Sequence, residues 1–344
     1  MEPDVSVVVV TWNVRDLLRR CLRSVLQSPG FHLIGNGAAD VTTAGDRSLE
    51  VIVVDNASAD GSVEMVQADF PGVRVIANDE NRGFTAGNNQ GIAASRGRLL
   101  LLLNPDAELV DDALTAMAQY LESHPDVALV GPRLTHADGS AQSSRRRFPT
   151  LATAFVESTV LQGLFSHSLL LKRYYMEDLA DDATQEVDWV VGAAMMVRRE
   201  VVDQVGGLDE GYFMYSEELD WCRRIKGAKS PGGSPWRVAY VPQAQVIHHE
   251  GKSSEQALAV RHIQFHASKV RYFRKYHGRW ASEILRAFLL CTYLWQMLEE
   301  SVKWLLGHKR ALRAGRISVY WQVVCSGLRT GRGPAATGPS TPVR

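Results

Sequence analysis

Several features that would assign a function at once are missing from this sequence. Its four cysteines form no Cys-x-x-Cys pair, which argues against a zinc ribbon or a disulfide framework and favours a reduced, cytosolic protein. No G-x-G-x-x-G follows the first predicted strand and no G-x-x-x-x-G-K-S/T occurs, so neither a dinucleotide fold nor a P-loop is indicated. Lys+Arg and Asp+Glu both number 38, and this balance indicates no nucleic-acid partner. The acidic start leads directly into a strand and shows no signal peptide.

Five consecutive leucines, Leu99–Leu103, are the strongest pattern that is present. A short apolar run bounded by turn residues is typical of a strand that is buried on both faces of a sheet. Pro105 ends the run, and Asp106 then places a carboxylate at the carboxyl end of the strand. Ligands bind at that edge of open α/β sheets, but Asn104-Pro105-Asp106 is also ordinary turn chemistry, and this stretch alone favours neither interpretation.

Predicted strands and helices alternate up to residue 130. The strands are 5–11, 49–55, 73–76, 99–103 and 127–130, and Asp55 ends the second one as Asp106 follows the fourth. Asn13 is predicted to cap the first helix and Gly97 to close the third. Residues 29–48, which are rich in glycine and aperiodic, are predicted to be a mobile surface insertion. The alternation predicts an α/β fold with a mostly parallel, mixed sheet flanked by helices.

Eight motifs follow one another between residues 5 and 255: 5–13, 53–62, 81–89, 103–106, 187–193, 206–210, 213–220 and 248–253. In this order they resemble the family 2 glycosyltransferases of the GT-A fold, and in particular the bacterial rhamnosyltransferase-like members. The resemblance implies a catalytic domain over 1–255. It further implies that a nucleoside-diphosphate sugar is the donor, with dTDP-rhamnose as one candidate.

The resemblance implies a donor pocket at the ends of the first two strands. Thr11, Asn13 and Asp55 would contact the nucleobase and ribose, and a loop cap is the alternative role for Asp55. Asp60 has a weaker case because Asp-Gly is a common turn. Further substrate contacts are implied in the third motif, at Asn81, Gly83 and Asn88.

A divalent metal ion is implied at Asn104-Pro105-Asp106, which stands where these enzymes carry their D-x-D motif. Asp106 would hold Mg²⁺ or Mn²⁺, which in turn would bind the diphosphate. His248 resembles the late histidine that reaches the metal or the diphosphate, and its neighbour His249 stays open as the alternative. Without the resemblance, a lone histidine is more often structural.

The implied general base lies on a later helix. Ser216 is predicted to cap it, and its first turn carries Glu217 and Glu218, followed by Asp220. The helix dipole would keep such carboxylates ionised and able to accept a proton. In the family the second acid is the base and is usually Asp; here it is Glu218, so Glu217 remains an alternative and Asp220 a supporting residue. A solvated acidic first turn is the structural interpretation.

The acceptor side is implied at 187–193. Gly192 and Ala193 would allow close backbone approach of the acceptor, with Asp188 and Trp189 beside them. The Trp189 ring could face a sugar or lie in the core, and the sequence favours neither.

The motifs stop near residue 256, and residues 256–330 are predicted to be helical. The uncharged stretch 287–298 is shorter than a membrane span requires. Basic residues on both sides of it fit an interfacial helix pair on an anionic membrane, and a helical hairpin buried against protein is the alternative. Residues 331–344 are predicted to be disordered.

These inferences predict a metal-dependent, inverting glycosyltransferase. It would transfer a sugar such as rhamnose to a hydroxyl of a saccharide or lipid-linked acceptor, in cell-surface polysaccharide or glycolipid synthesis at the cytoplasmic membrane face. A non-catalytic sugar-nucleotide-binding protein is the alternative. A nucleotidyltransferase is a weaker one, because it would carry a glycine-rich basic loop where this chain has Trp12-Asn13-Val14-Arg15.

Overall fold

The computed structural model describes residues 2–34, 47–249 and 258–329. The chain divides into two compact units. The sheet unit comprises 1–149, 167–209 and 217–253, and the helical unit comprises 150–166, 210–216 and 254–344. The predicted division at residue 255 and the predicted disordered tail both lie outside the described residues and stay predictions.

The sheet unit is built on one mixed sheet and a short ribbon. Its strands are β1 (Val5–Thr11), β2 (Phe31–Leu33), β3 (Arg47–Asp55), β4 (Arg74–Ala77), β5 (Leu99–Leu103), β6 (Ala107–Val110), β7 (Val127–Thr135), β8 (Ala141–Gln142), β9 (Arg145–Arg146), β10 (Gln185–Val187), β11 (Trp189–Val190), β12 (Ala194–Arg198) and β13 (Arg237–His248).

The helices, in chain order, are α1 (Arg15–Leu26), α2 (Ser62–Asp69), α3 (Gly83–Ala94), α4 (Ala113–Ser123), α5 (Leu151–Val156), α6 (Gln162–Phe165), α7 (Leu169–Tyr174), α8 (Arg199–Val205), α9 (Glu217–Gly227), α10 (Leu258–His277), α11 (Arg279–Leu305) and α12 (Arg310–Ser326). Of these, α5, α6 and α10 to α12 belong to the helical unit, and the others cover the sheet.

The sheet follows the order β10-β13-β7-β12-β5-β1-β3-β2. β1 runs parallel to β3 and β5, whereas β12 lies antiparallel between β5 and β7. The prediction of an α/β fold with a mixed sheet flanked by helices is therefore confirmed. All five leucines of β5 are buried, as expected of a central strand that is covered on both faces.

Two glycines let α3 pack directly on β1. A Cβ atom on Gly87 would lie 2.7 Å from Val10 Cγ1, and one on Gly91 would lie 2.2 Å from Val8 Cγ1. Because no larger residue fits at this separation, the pair fixes the depth of α3 and hence the position of its first turn at the sheet edge.

Two predictions about helix ends are wrong, and two segments contain strands that were not predicted. Asn13 does not cap α1, because its φ is 53° and its Oδ1 accepts from the Ala59 N–H. Gly97 does not close α3, which ends at Ala94; a Cβ there would instead lie 2.5 Å from the Ser6 nitrogen. The insertion 29–48 contains β2 and the start of β3, and its remainder, 35–46, lies outside the described residues. The loop after β5 contains the unpredicted strand β6, which pairs antiparallel with β13.

The helical unit contains three long helices, α10, α11 and α12. Gly278, with a φ of 87°, joins α10 to α11, and Gly307, with a φ of 83°, follows α11. One face of α11 is buried through Leu285, Leu289 and Tyr293. Among the described residues, no helix combines the length and the apolar character that crossing a membrane would require.

Candidate active site

Thr11 and Asp55 lie side by side at the carboxyl ends of β1 and β3, where they are paired in register. Both are buried, at 1% and 2% exposure. One carboxylate oxygen of Asp55 accepts from the Ser58 N–H at 2.9 Å, but its Oδ1 and the Thr11 Oγ1 have no hydrogen-bond partner. A buried unpaired polar group costs about 1–3 kcal/mol, so two adjacent ones at a ligand-binding edge indicate a polar ligand.

Asn13 and Asp60 instead tie the loop after β3 to the start of α1. Asp60 Oδ2 accepts from the Arg15 N–H at 2.7 Å, and its Oδ1 accepts from the Ser62 N–H and hydroxyl at 3.1 and 2.6 Å. The Asn13 backbone N–H donates to Ser58 Oγ at 2.9 Å. These contacts give Asp60 the turn role that the sequence had left as its alternative.

The third motif shapes the loop that leads into α3. Asn81 Oδ1 accepts from the N–H of Gly83, whose φ is 88°, at 3.0 Å. Asn88 is buried and donates to the Phe84 carbonyl at 2.9 Å. Sequence reasoning missed Thr85, which is 0% exposed and has an unpaired Oγ1. A threonine in the first turn of a glycine-rich helix carries no signal that would have found it.

Asp106 and His248 meet beyond the end of β5. Asp106 Oδ1 lies 3.4 Å from His248 Nε2, and Asn104 Nδ2 lies 3.4 Å from the same nitrogen. Both Asp106 and His248 are buried, and the Oδ1 of Asn104 has no partner. The unpredicted pairing of β6 with β13 creates this contact, because it sets Ala107 opposite His248.

His249 points to the other face of the β6–β13 pair. Its Nε2 lies 2.6 Å from Glu108 Oε1, as expected from the alternation of side chains along a strand. The structure therefore groups His248, and not His249, with Asp106. The Nδ1 of His248 in turn contacts Gln142 Oε1 at 2.9 Å, a neighbour that sequence reasoning missed because it comes from a distant strand.

The donors near Asp106 fit a divalent ion that is shared with a phosphate ligand. In the part of the chain that the structure describes, no group of three or more His, Cys, Asp or Glu side chains could hold a metal by itself. Mg²⁺, however, commonly takes one or two carboxylates and completes its coordination with phosphate oxygens and water. Asp106, with His248 and the unpaired oxygen of Asn104 beside it, meets that requirement.

Gly192 and Ala193 connect this edge to α9. The Ala193 carbonyl accepts from the Asn104 N–H at 2.9 Å, and a Cβ on Gly192 would lie 3.6 Å from Glu218 Cβ. The two residues therefore bring the acidic helix start next to the strand ends.

The acid pair on α9 is more buried than a solvated first turn would be. Glu217 is 3% exposed, Glu218 is half-buried, and each has an Oε2 without a partner. Burial raises the pKa of both carboxyls, and the neighbouring charge of Glu218 raises that of Glu217 further. This direction is opposite to the one expected from the helix dipole. Ser216 also has a φ of 64°, outside the conformation typical of an N-cap.

Three other predicted residues have their polar atoms engaged in structure. Asp220 is fully buried and its Oδ2 accepts from Arg224 Nε at 2.9 Å, which suits a supporting role. Asp188 accepts from the Phe148 N–H at 2.8 Å and lies 3.0 Å from Lys226 Nζ. Trp189 is 8% exposed and its indole N–H donates to the Arg147 carbonyl at 3.0 Å. Its ring therefore lies largely in the core.

Sequence reasoning also missed a cation–aromatic cluster where β9 pairs with β11. The guanidinium of Arg146 lies over the rings of Tyr174, Tyr175 and Trp189. The available signals were three consecutive arginines at 145–147 and two adjacent tyrosines, which lie in a segment without periodicity.

The mixed α/β sheet flanked by helices is that of the GT-A glycosyltransferase fold. The solved mannosyltransferase PcManGT from Pyrobaculum calidifontis, in complex with GDP-Man and Mn²⁺, shares this fold. Its TM-score is 0.50 at 15% identity, covering 95% of this chain and 88% of that one. The chain belongs to glycosyl transferase family 2, whose model matches residues 6–206, and it is therefore an enzyme of the glycosyltransferase class.

Two curated relatives refine the comparison. The N-acetylglucosaminyl-diphospho-decaprenol L-rhamnosyltransferase of Mycobacterium tuberculosis is 28% identical over 275 residues, covering 76% of this chain and 86% of the relative. The rhamnosyltransferase WbbL of Escherichia coli strain K12 is 28% identical over 214 residues, covering 60% and 75%. The predicted resemblance to rhamnosyltransferase-like members is thus confirmed.

Proposed function

We propose that the protein is a metal-dependent, inverting glycosyltransferase that moves a sugar from a nucleoside diphosphate to the hydroxyl of a saccharide or lipid-linked acceptor. The observation that carries the proposal is the row of buried, unpaired oxygens on Thr11, Asp55 and Asn104 at adjoining strand ends. Rhamnose is the first candidate sugar, because two relatives are named as rhamnosyltransferases. A lipid-linked acceptor is supported by the decaprenol in the name of one of them.

The donor would lie along the strand ends. The free oxygens of Thr11 and Asp55 can accept from a base N–H or a ribose hydroxyl. Asp106 and His248 would hold Mg²⁺ or Mn²⁺ together with the diphosphate oxygens, with Asn104 beside them. When bound, the ion offsets the negative charge that develops on the leaving diphosphate.

Glu218 would act as the general base. It lies next to Gly192, where the acceptor is expected, and the residue is less buried than Glu217. Its carboxylate takes the proton of the acceptor hydroxyl while the oxygen bonds to the anomeric carbon. The bond from that carbon to the diphosphate oxygen breaks on the opposite face, and its electron pair leaves with the nucleoside diphosphate. Attack from opposite the leaving group inverts the anomeric configuration.

The proposal is tested with a panel of nucleoside-diphosphate sugars. We expect one donor to raise the melting temperature when Mn²⁺ is present, since a ligand that binds only the folded state stabilises it. The same donor should support transfer to a polyprenyl-diphosphate saccharide, and EDTA should abolish it. Stabilisation without transfer or donor hydrolysis would favour the non-catalytic binding protein, and undiminished transfer in EDTA would exclude the metal.

The helical unit is proposed to bind an anionic membrane surface, as the region 256–330 was predicted to do, at its cytoplasmic face. Eleven large apolar side chains between 280 and 321 are exposed: Trp280, Ile284, Leu294, Trp295, Leu298, Val302, Trp304, Leu305, Leu306, Leu312 and Trp321. The sequence has no acidic residue after Glu300, against eight lysines and arginines. Tryptophans, leucines and cations on one helical surface are typical of interfacial membrane binding.

The exposed apolar residues of α11 form their own face. Trp295, Leu298, Val302 and Leu305 recur at helical spacing, whereas the buried face carries Leu285, Leu289 and Tyr293. α11 therefore has one apolar face packed within its unit and a second one in solvent. Four exposed residues at this spacing need a partner, and the excess of basic residues favours an anionic one.

A further inference from the structure

A histidine that binds a metal ion must present a ring nitrogen that carries no proton. A neutral imidazole has one N–H donor and one nitrogen with a free lone pair, and only the second can bind an ion. The two ring nitrogens of His248 face different partners: Nε2 lies 3.4 Å from Asp106 Oδ1, and Nδ1 lies 2.9 Å from Gln142 Oε1. Because His248 is buried, these contacts decide which nitrogen holds the proton.

Two oxygens compete for the proton of His248, and the distances favour Gln142. An N–H···O hydrogen bond is usually about 2.7–3.2 Å long. The contact of 2.9 Å with Gln142 lies within this range, whereas the contact of 3.4 Å with Asp106 lies outside it. The amide oxygen of Gln142 can only accept, so Nδ1 is the donor and Nε2 keeps its lone pair. The amide nitrogen of Asn104, which can only donate, lies 3.4 Å from Nε2 and agrees with this assignment.

Gln142 reaches His248 because a tight hairpin returns the chain along β7. β8 pairs antiparallel with β7, and this places Gln142 opposite Leu134. The turn between the two strands contains Gly139, with a φ of 82°, and Asp138, whose Oδ1 accepts from the N–H two residues later at 2.9 Å. β13, which ends at His248, pairs with the same strand β7. One strand therefore sets the positions of both side chains.

The amide of Gln142 has a second contact that orients it. Its Nε2 lies 3.4 Å from Nδ1 of His136, the residue that follows β7. His136 is itself held in the turn, because its backbone N–H donates to the Ser140 carbonyl at 2.8 Å. The amide nitrogen is thus directed to His136 and the amide oxygen to His248.

We propose that Gln142 is a positioning residue that holds the proton of His248 on Nδ1 and thereby leaves Nε2 free for the metal ion. The inference rests on the proposed function for its purpose, since the ion belongs to that proposal, but the position of the proton is a property of the metal-free chain. Without an acceptor at Nδ1, the proton is better placed on Nε2, where it can be donated to the Asp106 carboxylate. That tautomer has no lone pair on Nε2.

The first test determines the tautomer of His248 in the whole chain without metal. With histidine that is isotopically labelled at its ring nitrogens, NMR spectra at mildly alkaline pH show which nitrogen carries the proton. The signal that is missing from His248→Asn identifies the residue. We expect the proton on Nδ1 in the wild type and on Nε2 in Gln142→Leu. A wild-type proton on Nε2, or a proton that stays on Nδ1 in Gln142→Leu, would overturn the inference.

The second test measures metal binding without turnover. Mn²⁺ is titrated in the presence of dTDP, UDP or GDP, and the electron paramagnetic resonance of the free ion gives its dissociation constant. We expect this constant to rise roughly tenfold in Gln142→Leu, as is typical when the outer partner of a metal-binding histidine is removed. Gln67→Leu, at an exposed glutamine of α2, is the matched control and should change neither the tautomer nor the constant.

Two further variants separate the hydrogen bond from packing. Gln142→Glu keeps an acceptor oxygen at the same reach and should hold the proton on Nδ1. Gln142→Asn is shorter by one methylene and withdraws the oxygen, so it should move the proton to Nε2, and it replaces Gln142→Leu if that variant does not fold. A proton on Nε2 in folded Gln142→Glu would assign the effect to packing and overturn the inference.

Failure of this inference can be distinguished from failure of the proposed function. If the wild type binds Mn²⁺ with none of the three nucleoside diphosphates, but the proton moves between variants as expected, the metal-dependent function fails and the positioning by Gln142 stands. If Mn²⁺ binds equally well to the wild type and to Gln142→Leu, the function stands and the role of Gln142 in metal binding fails.

Discussion

The two units of this protein carry different groups that call for a ligand or partner. Within its described residues, the sheet unit buries six side-chain oxygens that accept no hydrogen bond, on Thr11, Asp55, Thr85, Asn104, Glu217 and Glu218. The helical unit exposes eleven large apolar side chains on and around α11 and α12. An unpaired buried oxygen calls for a polar ligand, whereas an exposed apolar face calls for an apolar surface. The difference indicates two separate binding tasks in one chain.

Glu218→Gln should have the largest effect, because it tests whether the sheet unit catalyses transfer or only binds the donor. We expect kcat to fall about a thousandfold, because the amide cannot accept the acceptor proton, while the donor still raises the melting temperature. Initial rates and thermal shifts measure both. Glu200→Gln, at an exposed acid of α8, is the matched control and should change neither. If Glu218→Gln still transfers the sugar, Glu217 is the general base instead.

Asp106→Asn should lower turnover about a hundredfold and also remove the donor-dependent thermal shift, because the diphosphate loses its anchor. Circular dichroism should remain that of the wild type. Asp112→Asn, an exposed acid just beyond β6, should have no effect on either readout. If the donor still raises the melting temperature of Asp106→Asn, donor binding does not depend on this carboxylate.

Variants of the two adjacent histidines test the proposed metal site. His248→Ala should raise the Mn²⁺ concentration required for half-maximal activity by roughly tenfold, because His248 contacts Asp106. His249→Ala should leave it within about twofold, since His249 contacts Glu108 on the other face. Titration of activity with Mn²⁺ measures both, and equal effects would contradict the grouping.

In the helical unit, Trp295→Ser should weaken binding to vesicles that contain an anionic phospholipid about fivefold, measured by co-sedimentation. The donor-dependent thermal shift should be unchanged, which separates the two binding tasks. Leu179→Ser, at an exposed leucine of the sheet unit, is the control. If Trp295→Ser alters the oligomeric state and not vesicle binding, the exposed face of α11 belongs to a second copy of the chain.

The smallest expected effect concerns stability. Because burial raises the pKa of Glu217, its unfolded form loses the proton first as pH rises, so this group lowers stability progressively between its ordinary pKa, about 4.3, and its folded one. Glu217→Gln removes that loss. We expect the melting temperature of the variant to exceed that of the wild type by a few degrees at pH 7 and to converge with it near pH 4. A constant difference across this range would contradict the raised pKa of Glu217 in the folded protein.

Periodicity predicted most of the sheet unit because its strands and helices keep one pattern for their full length. The leucine strand and the Asp-ended β3 needed no tertiary information. The contact of His248 with Asp106 could not be predicted without tertiary information. It depends on β6, which is four residues long and pairs with a strand more than a hundred residues later. The raised pKa of Glu217 and Glu218 was missed for a similar reason: the helix dipole is a local effect, whereas burial comes from tertiary packing.

β13 has a bulge ahead of the two histidines, and the pairing after it decides which of them lies next to Asp106. Val241 is paired with Pro132 and Gln245 with Arg133, so residues 242–244 have no counterpart in β7. Side chains alternate between the two faces of a strand. An odd number of extra residues therefore reverses the face on which each later side chain would otherwise lie. A one-residue slip in the pairing of β13 after this bulge would present His249 at the position of His248. The register of β13 after the bulge therefore decides which histidine contacts Asp106.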